Sequence, residues 1–323
     1  MNLIKYAILF IIITLPFYMI HNFNTHRLAQ RERLKNQYEQ IISSAIEDGT
    51  YALKTYSKRS FDEDRGKHIG IETEEVIEAF LKTYHYGFKA FGEGAKQQFN
   101  QYIVAIVIVG YDGYYLYGTK QVTDTSGVVG YMPVMGEKRP YIYEDSAYAM
   151  KLTLDDFVEI VDMRTWEVEK GDFTSIVHKP SGINEANFEQ IRKSVIVTSI
   201  EEGLRETVKN HNQWAKQQGV LYEFIVPVAD NDPWSRSLDD IGLMVCVQGA
   251  PLGYGAFLDF FAFHQSNVLK IQPINGYEDK ADGSFYYCDH RCTHPQTDPL
   301  IQVFATKEGA ARAGFWPCHY LNK

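Results

Sequence analysis

The stretch Tyr102-Ile103-Val104-Ala105-Ile106-Val107-Ile108-Val109 decides the fold. It is short, rich in β-branched residues and apolar without a break, which is the pattern of a strand buried on both faces. Asp112-Gly113 follows as a turn pair, and Tyr114 to Tyr117 reads as the returning strand. An antiparallel hairpin is therefore expected at the centre of the chain. What surrounds it decides whether helices alternate with strands or only cover them.

Downstream, residues 128–135 and 140–143 read as edge strands or loops interrupted by Gly136 and Pro140. Thr153-Leu154-Asp155-Asp156 has the form of a cap for a short helix carrying Phe157, Ile160 and Val161. Residues 173–180 suggest a strand. From Ala186 the period returns to about 3.6, through Phe188, Ile191, Val195 and the neighbouring row Val197, Ile200, Leu204 and Val208, which predicts the longest helix of the body. Gly203, inside it, marks a close approach of another backbone. Strands are expected over 221–228 and 242–248, then a glycine loop over 249–255 and a last strand over 268–271.

Upstream, Thr73 opens a helix with Val76, Ile77, Phe80, Leu81 and Tyr84 on one side and Glu74 and Glu75 at its amino end. Residues 58–70 have no period and read as a loop. Before them, Leu34, Tyr38, Ile41, Ala45 and Ala52, flanked by Ile42, Ile46 and Leu53, form an apolar stripe at spacings of three and four. That stripe fits a stalk lying on the body or on a partner, and equally a core helix. Helices and strands mix without regular alternation, so the fold class expected is α+β, a mainly antiparallel sheet packed by long helices.

The first residues set the expected location. Tyr6 to Ile20 carries no charge, and with Leu3, Ile4 and Phe23 it approaches the length of a bilayer-spanning helix at ~1.5 Å per residue. No small-residue cleavage pattern follows, which favours a retained anchor over a cleaved signal. The expected layout is a transmembrane anchor over 1–24, a helical stalk over 25–60, an α+β body over 61–275 and a small cysteine-containing carboxyl-terminal hairpin module over 276–323. Arg27, Arg31, Arg33 and Lys35 next to the anchor would by charge alone keep the body inside.

With 41 Asp and Glu against 32 Lys and Arg, the chain is acidic, and the basic residues cluster only from Arg27 to Lys35. Such a surface argues against nucleic acid as a partner and leaves the basic run to anionic lipid head groups. The expected partners are the membrane, through residues 3–23, and other membrane proteins. No zinc-protease helix motif, phosphate loop, nucleophile elbow or dinucleotide fingerprint is present. Asp239 and Asp240 with Glu223 form a conceivable acid group, although adjacent aspartates before an apolar strand more often make a turn. His178, His211 and His264 are isolated.

Three of the four cysteines fall near the end, as Cys288, Cys292 and Cys318, interleaved with His290, His294 and His319. Strict alternation along one strand is poor geometry for a tetrahedral ion. A Cys292–Cys318 disulfide would close a loop of about 27 residues, worth roughly 3 kcal/mol. Zinc, a disulfide and unbonded thiols all remain compatible with the spacing.

The segments Tyr286-Tyr287-Cys288-x-x-x-Cys292, Val303 to Ala311 and Ala313-Gly314-Phe315-Trp316-Pro317-Cys318 resemble the small cysteine module of the Ada-type metal-binding domain. The family's last cysteine falls here on Leu321, so its four-cysteine zinc site does not carry over. What the resemblance implies is a strand-helix hairpin tied by cysteines, and, for a zinc ion, Cys288, Cys292 and Cys318 as ligands with His319 or His294 as the fourth. The anchor, the Ile41-Ile42-x-x-Ala45-x-x-Asp48 stripe, the central hairpin and Ser237-Leu238-Asp239-Asp240-Ile241-Gly242 resemble single-pass bacterial membrane proteins that accompany pilus-like or conjugative secretion machinery. This implies a non-enzymatic, membrane-anchored assembly subunit without a cofactor, its body outside the cytoplasmic membrane, as a cysteine-bearing tail also suggests. A membrane-tethered zinc module or zinc hydrolase is one alternative. A ligand-sensing domain outside the membrane is the other, because the central hairpin is similar to strands that line such pockets.

Overall fold

The computed structural model describes residues 2–62, 66–123, 127, 129–220, 222–226, 238–269, 274–280, 283–288, 300–304 and 307–318. The chain divides into two units, Met1–Ser266 and Asn267–Lys323, so the carboxyl-terminal unit begins nine residues before the expected position 276. The first unit opens with one continuous helix, α1 (Asn2–Tyr56), then a hairpin of β1 (Lys58–Asp62) and β2 (Gly66–Gly70), and helices α2 (Thr73–Gly87) and α3 (Glu93–Asn100). The central strands are β3 (Ile103–Gly110), β4 (Gly113–Thr123) and β5 (Val129–Met135). A four-stranded meander follows, β6 (Tyr141–Glu144), β7 (Tyr148–Leu152), β8 (Phe157–Asp162) and β9 (Val168–Asp172). Helix α4 (Phe188–Gln217) then leads back to β10 (Gly242–Gly253) and β11 (Ala256–Gln265).

The main sheet is antiparallel with order β11-β10-β3-β4-β5. Every residue of β3 is buried, because helices cover both faces. Leu243, Ile108 and Tyr115 are register partners and share one face. There Gly49 of α1 comes so close that a Cβ would lie 2.6 Å from Leu243 Cδ2. Met244, Val107 and Leu116 share the opposite face, under Gly203 of α4. The close approach expected at Gly203 is made by side chains, since a Cβ would meet Tyr114 Oη at 2.7 Å and Leu116 Cδ1 at 3.0 Å. Ile42, Ala45, Ile46 and Leu53 of α1 are fully buried, so of the two expected readings, a stalk lying on the body or a core helix, this stretch follows the core helix. An aromatic cluster of Tyr38, Phe80, Tyr84, Phe88 and Phe99 binds α1, α2 and α3 together.

The α+β class with antiparallel sheets is observed; the expected membrane-spanning helix is corrected. Among the described residues no helix is long and apolar enough to cross a membrane. The uncharged apolar run Tyr6 to Ile20 is only fifteen residues and includes Thr14 and Pro16, short of the ~20 that a bilayer core requires. Past it, His21, Asn22, Asn24 and Thr25 make the same helix polar.

Other local expectations also change. Residues 58–70 form the β1–β2 hairpin rather than a loop, paired from Lys58↔Gly70 to Asp62↔Gly66. The helix expected after Thr153 is strand β8, in which Val158 and Ile160 are buried and Phe157 and Glu159 are not, a period of two. Asp155 Oδ1 accepts the Phe157 N–H at 2.9 Å, so this aspartate makes a turn instead of capping a helix. Phe173–Ser175 is one 3₁₀ turn rather than a strand.

Residues 222–226, expected to form a strand, lie against two side-chain amides instead of a ladder. Asn212 exchanges two hydrogen bonds with the Phe224 backbone at 2.9 Å each, and Gln248 does the same at Ile225 at 3.0 and 3.1 Å. The polar backbone is satisfied without strand pairing. The expected glycine loop over 249–255 is mostly β10, carried through irregular register to a turn at Tyr254-Gly255.

In the second unit β12 (Ile274–Glu278), β13 (Phe285–Cys288), β14 (Leu300–Phe304) and β15 (Trp316–Pro317) form a sheet of order β14-β12-β13-β15, with helix α5 (Lys307–Arg312). Its buried core is Ile274, Phe304, Ala310 and Phe315, with Tyr287 packed on it.

Candidate functional site

The most site-like hollow lies where the outer side of α2 meets β4 and β5. Val76, Ile77, Phe80 and Tyr84 bury the inner side of α2. Ile77 and Leu81, with Ala90, Tyr117 and Met135, floor a cleft of about 720 Å³. Tyr86 and Phe91 also line it, 75% and 70% exposed, with ring centroids 6.3 Å apart. Glu74 and Glu78 line the end nearer the start of α2, while Lys82 and His85 follow one and two turns later, with Lys96 contributed by α3. His85 Nε2 lies 2.7 Å from Asn100 Oδ1, which fixes the ring. Burial raises the Tyr117 hydroxyl above its ordinary pKa. The cleft offers apolar contact and charges of both signs, the equipment of binding.

A second polar constellation sits at the β3–β4 turn. Asp112 is buried, and its Oδ1 accepts a hydrogen bond from Lys138 Nζ. Its Oδ2 faces His68 Nδ1 at 3.6 Å and Lys151 Nζ at 3.7 Å. Beside it the Tyr111 hydroxyl donates to Asp155 Oδ1 at 2.7 Å. These contacts tie the turn to β2, β7 and the chain before β6, which is a fastening role.

Each residue singled out from the sequence has a definite place where it is described. His211 is buried, with Nε2 3.0 Å from the Gln101 carbonyl oxygen and Nδ1 2.8 Å from Thr119 Oγ1. A carbonyl only accepts, so Nε2 carries the proton and Nδ1 accepts from Thr119. Burial pulls the His211 pKa down to about 4. His178 is exposed, with Nδ1 3.3 Å from Glu169 Oε2, and His264 pairs in register with Leu243. Asp240 is buried and its Oδ1 accepts from the Ile241 N–H at 2.7 Å, whereas Asp239 and Glu223 are exposed. Cys246 lies inside β10 and burial pushes its thiol pKa upwards.

Of the expected metal ligands, Cys292 and His319 lie outside the described residues, as does the expected Cys292–Cys318 pairing. Cys288 and Cys318 are both buried; Cys288 ends β13 and Cys318 directly follows the adjacent strand β15. Among the described residues no group of three His, Cys, Asp or Glu side chains converges as a metal site would require. Sequence reading missed the cleft: Glu74, Glu78, Lys82 and His85 follow helical spacing, but only the fold brings β4 and β5 beside them.

The amino-terminal part of α1 is the other unusual surface. Phe10, Ile13, Leu15, Phe17, Tyr18, Met19, Ile20 and Phe23 are 52–72% exposed. At about 100° per residue, Phe10, Ile13, Phe17 and Ile20 lie on one side, Leu15 and Met19 on the opposite side, and Tyr18 and Phe23 on the two flanks. At the polar end of this stretch, the Arg27 guanidinium stacks 4.1 Å from the Tyr254 ring centroid, and the Tyr254 hydroxyl donates to Gln30 Oε1 at 3.1 Å.

No family model, curated protein or solved structure matches the chain, so neither resemblance drawn from the sequence gains support there.

Proposed function

We propose that this chain is a non-enzymatic, membrane-associated assembly subunit, held at lipid by the bare apolar part of α1 and offering the α2 cleft to a partner. One observation carries the reading: eight large apolar side chains from Phe10 to Phe23 are exposed around the whole circumference of a helix whose later turns are core. A contiguous set of large apolar side chains left uncovered marks an interaction surface, and the basic run Arg27 to Lys35 beside it suits the head groups of a lipid surface. Flotation of the full chain with phosphatidylcholine vesicles tests it. The chain is expected to rise with the vesicles, and the double substitution Ile13→Asp and Phe17→Asp to leave it at the bottom. An unsubstituted chain that stays at the bottom contradicts the reading.

The cleft favours a second role, recognition of an amphipathic ligand by the body. Its apolar floor and mixed rim suit a molecule with an apolar part and charge at both ends. Leu81→Trp, which fills the floor, should abolish any ligand-induced rise in thermal midpoint found by screening such compounds. A rise that survives the substitution places the ligand elsewhere.

A further inference from the structure

We propose that Cys288 and Cys318 are a redox pair that closes as a disulfide across the β13–β15 ladder, the pairing that the fold selects over Cys292–Cys318. Strands β13 and β15 are parallel, with Tyr286 opposite Trp316 and Tyr287 opposite Pro317. The residue after this pair is a cysteine on both sides, Cys288 as the last of β13 and Cys318 as the first beyond β15. The Cys318 N–H donates to the Tyr287 carbonyl at 3.1 Å, which extends the ladder to that position. Register partners in a sheet lie about 4.8 Å apart and project to the same face, inside the roughly 4.4–6.8 Å between Cα atoms that a disulfide accepts. Cys288 and Cys318 are 2% and 5% exposed, so the bond would form within the packed unit rather than on its surface.

The size of the unit points the same way. It has 57 residues, and its core is built from Ile274, Phe304, Ala310 and Phe315. Units of this size have marginal cores, and a covalent or metal staple is a common addition to them. A bond joining β13 to β15 ties the last strand to the sheet across the whole intervening segment.

The oxidant is a low-molecular-weight disulfide. When local opening of the end of β15 uncovers one cysteine, its thiolate attacks the oxidant, forms a mixed disulfide and expels one thiolate. The second cysteine thiolate then attacks the protein sulfur and expels the other. The two protein thiols lose two protons and two electrons, and the oxidant leaves as two thiols.

Trypsin separates the three cysteines, because Arg291 lies between Cys288 and Cys292, and Lys307 and Arg312 lie between Cys292 and Cys318. The full chain, equilibrated with oxidised glutathione, alkylated and digested without reductant, is expected to yield peptide 281–291 joined to peptide 313–323. Reductant should separate them. Cys292→Ser should retain the link and Cys288→Ser should lose it. A link from peptide 292–307 to either of the others overturns the pairing. So does full alkylation of Cys288 and Cys318 after oxidation, or stoichiometric zinc that protects the thiols until it is chelated.

Discussion

The two halves of α1 belong to one unbroken helix and have opposite fates. From Ile42 to Leu53, Ile42, Ala45, Ile46, Ala52 and Leu53 form a stripe that the sheet and α2 bury, with Tyr51 left exposed off it. Between Phe10 and Phe23 the eight large apolar side chains named above are spread around the helix and exposed. The first stretch is also the more apolar, with ten apolar residues in fourteen against six in twelve; what differs besides is whether the residues are arranged for a one-sided partner. A stripe is matched by a folded core, and an uncovered apolar surface marks a site of interaction.

The largest expected contrast comes from equivalent truncations in the two halves. Ile46→Ala should lower unfolding free energy by about 2–5 kcal/mol, because it empties a fully buried site. Ile13→Ala should change it by less than about 0.5 kcal/mol. Urea unfolding of both variants checks this, and equal losses would dissolve the distinction.

Acid should also act on the buried part. His211 has a pKa near 4 in the folded chain against an ordinary 6.5, so between these values the unfolded chain binds more protons. The stabilisation is fully present above pH 6.5 and is lost as pH falls towards 4, about 3 kcal/mol in all. Urea midpoints across this range should flatten in His211→Gln. An unchanged profile would assign the acid sensitivity elsewhere.

Gly203→Ala sharpens the comparison on the opposite face of the sheet. Its methyl group would press on Tyr114, whose hydroxyl donates to the Ser199 carbonyl at 2.6 Å. The expected loss is about 1–3 kcal/mol by thermal or urea unfolding, and no loss would mean that Tyr114 moves aside freely.

The core was legible where a period is strong. The run Ile103 to Val109 is apolar on both sides, and α2 and α4 repeat at helical spacing, so each could be placed from residue order alone. Hairpin β1–β2 has no such pattern, and its strands are set by cross-strand pairing. Residues 222–226 have the composition of a strand, yet Asn212 and Gln248, one of them far along the chain from that segment, occupy its backbone groups. The cleft was hidden for the same reason, since α2 uses one helical row for the core and the next for the rim. The proposed cysteine pairing depends on register: sequence separation makes Cys292 as eligible as Cys288, and it is the parallel ladder pairing Tyr287 with Pro317 that leads on to Cys288 and Cys318.

Amide hydrogen exchange of the full chain, with and without phosphatidylcholine vesicles, tests the two-part account of α1 most directly. Without lipid, residues 10–23 should exchange rapidly because no packing opposes fraying, and residues 42–53 slowly because they are core. Vesicles should slow the first stretch and leave the second unchanged. Exchange over residues 10–23 that is already slow without lipid, or that vesicles do not alter, would contradict the account.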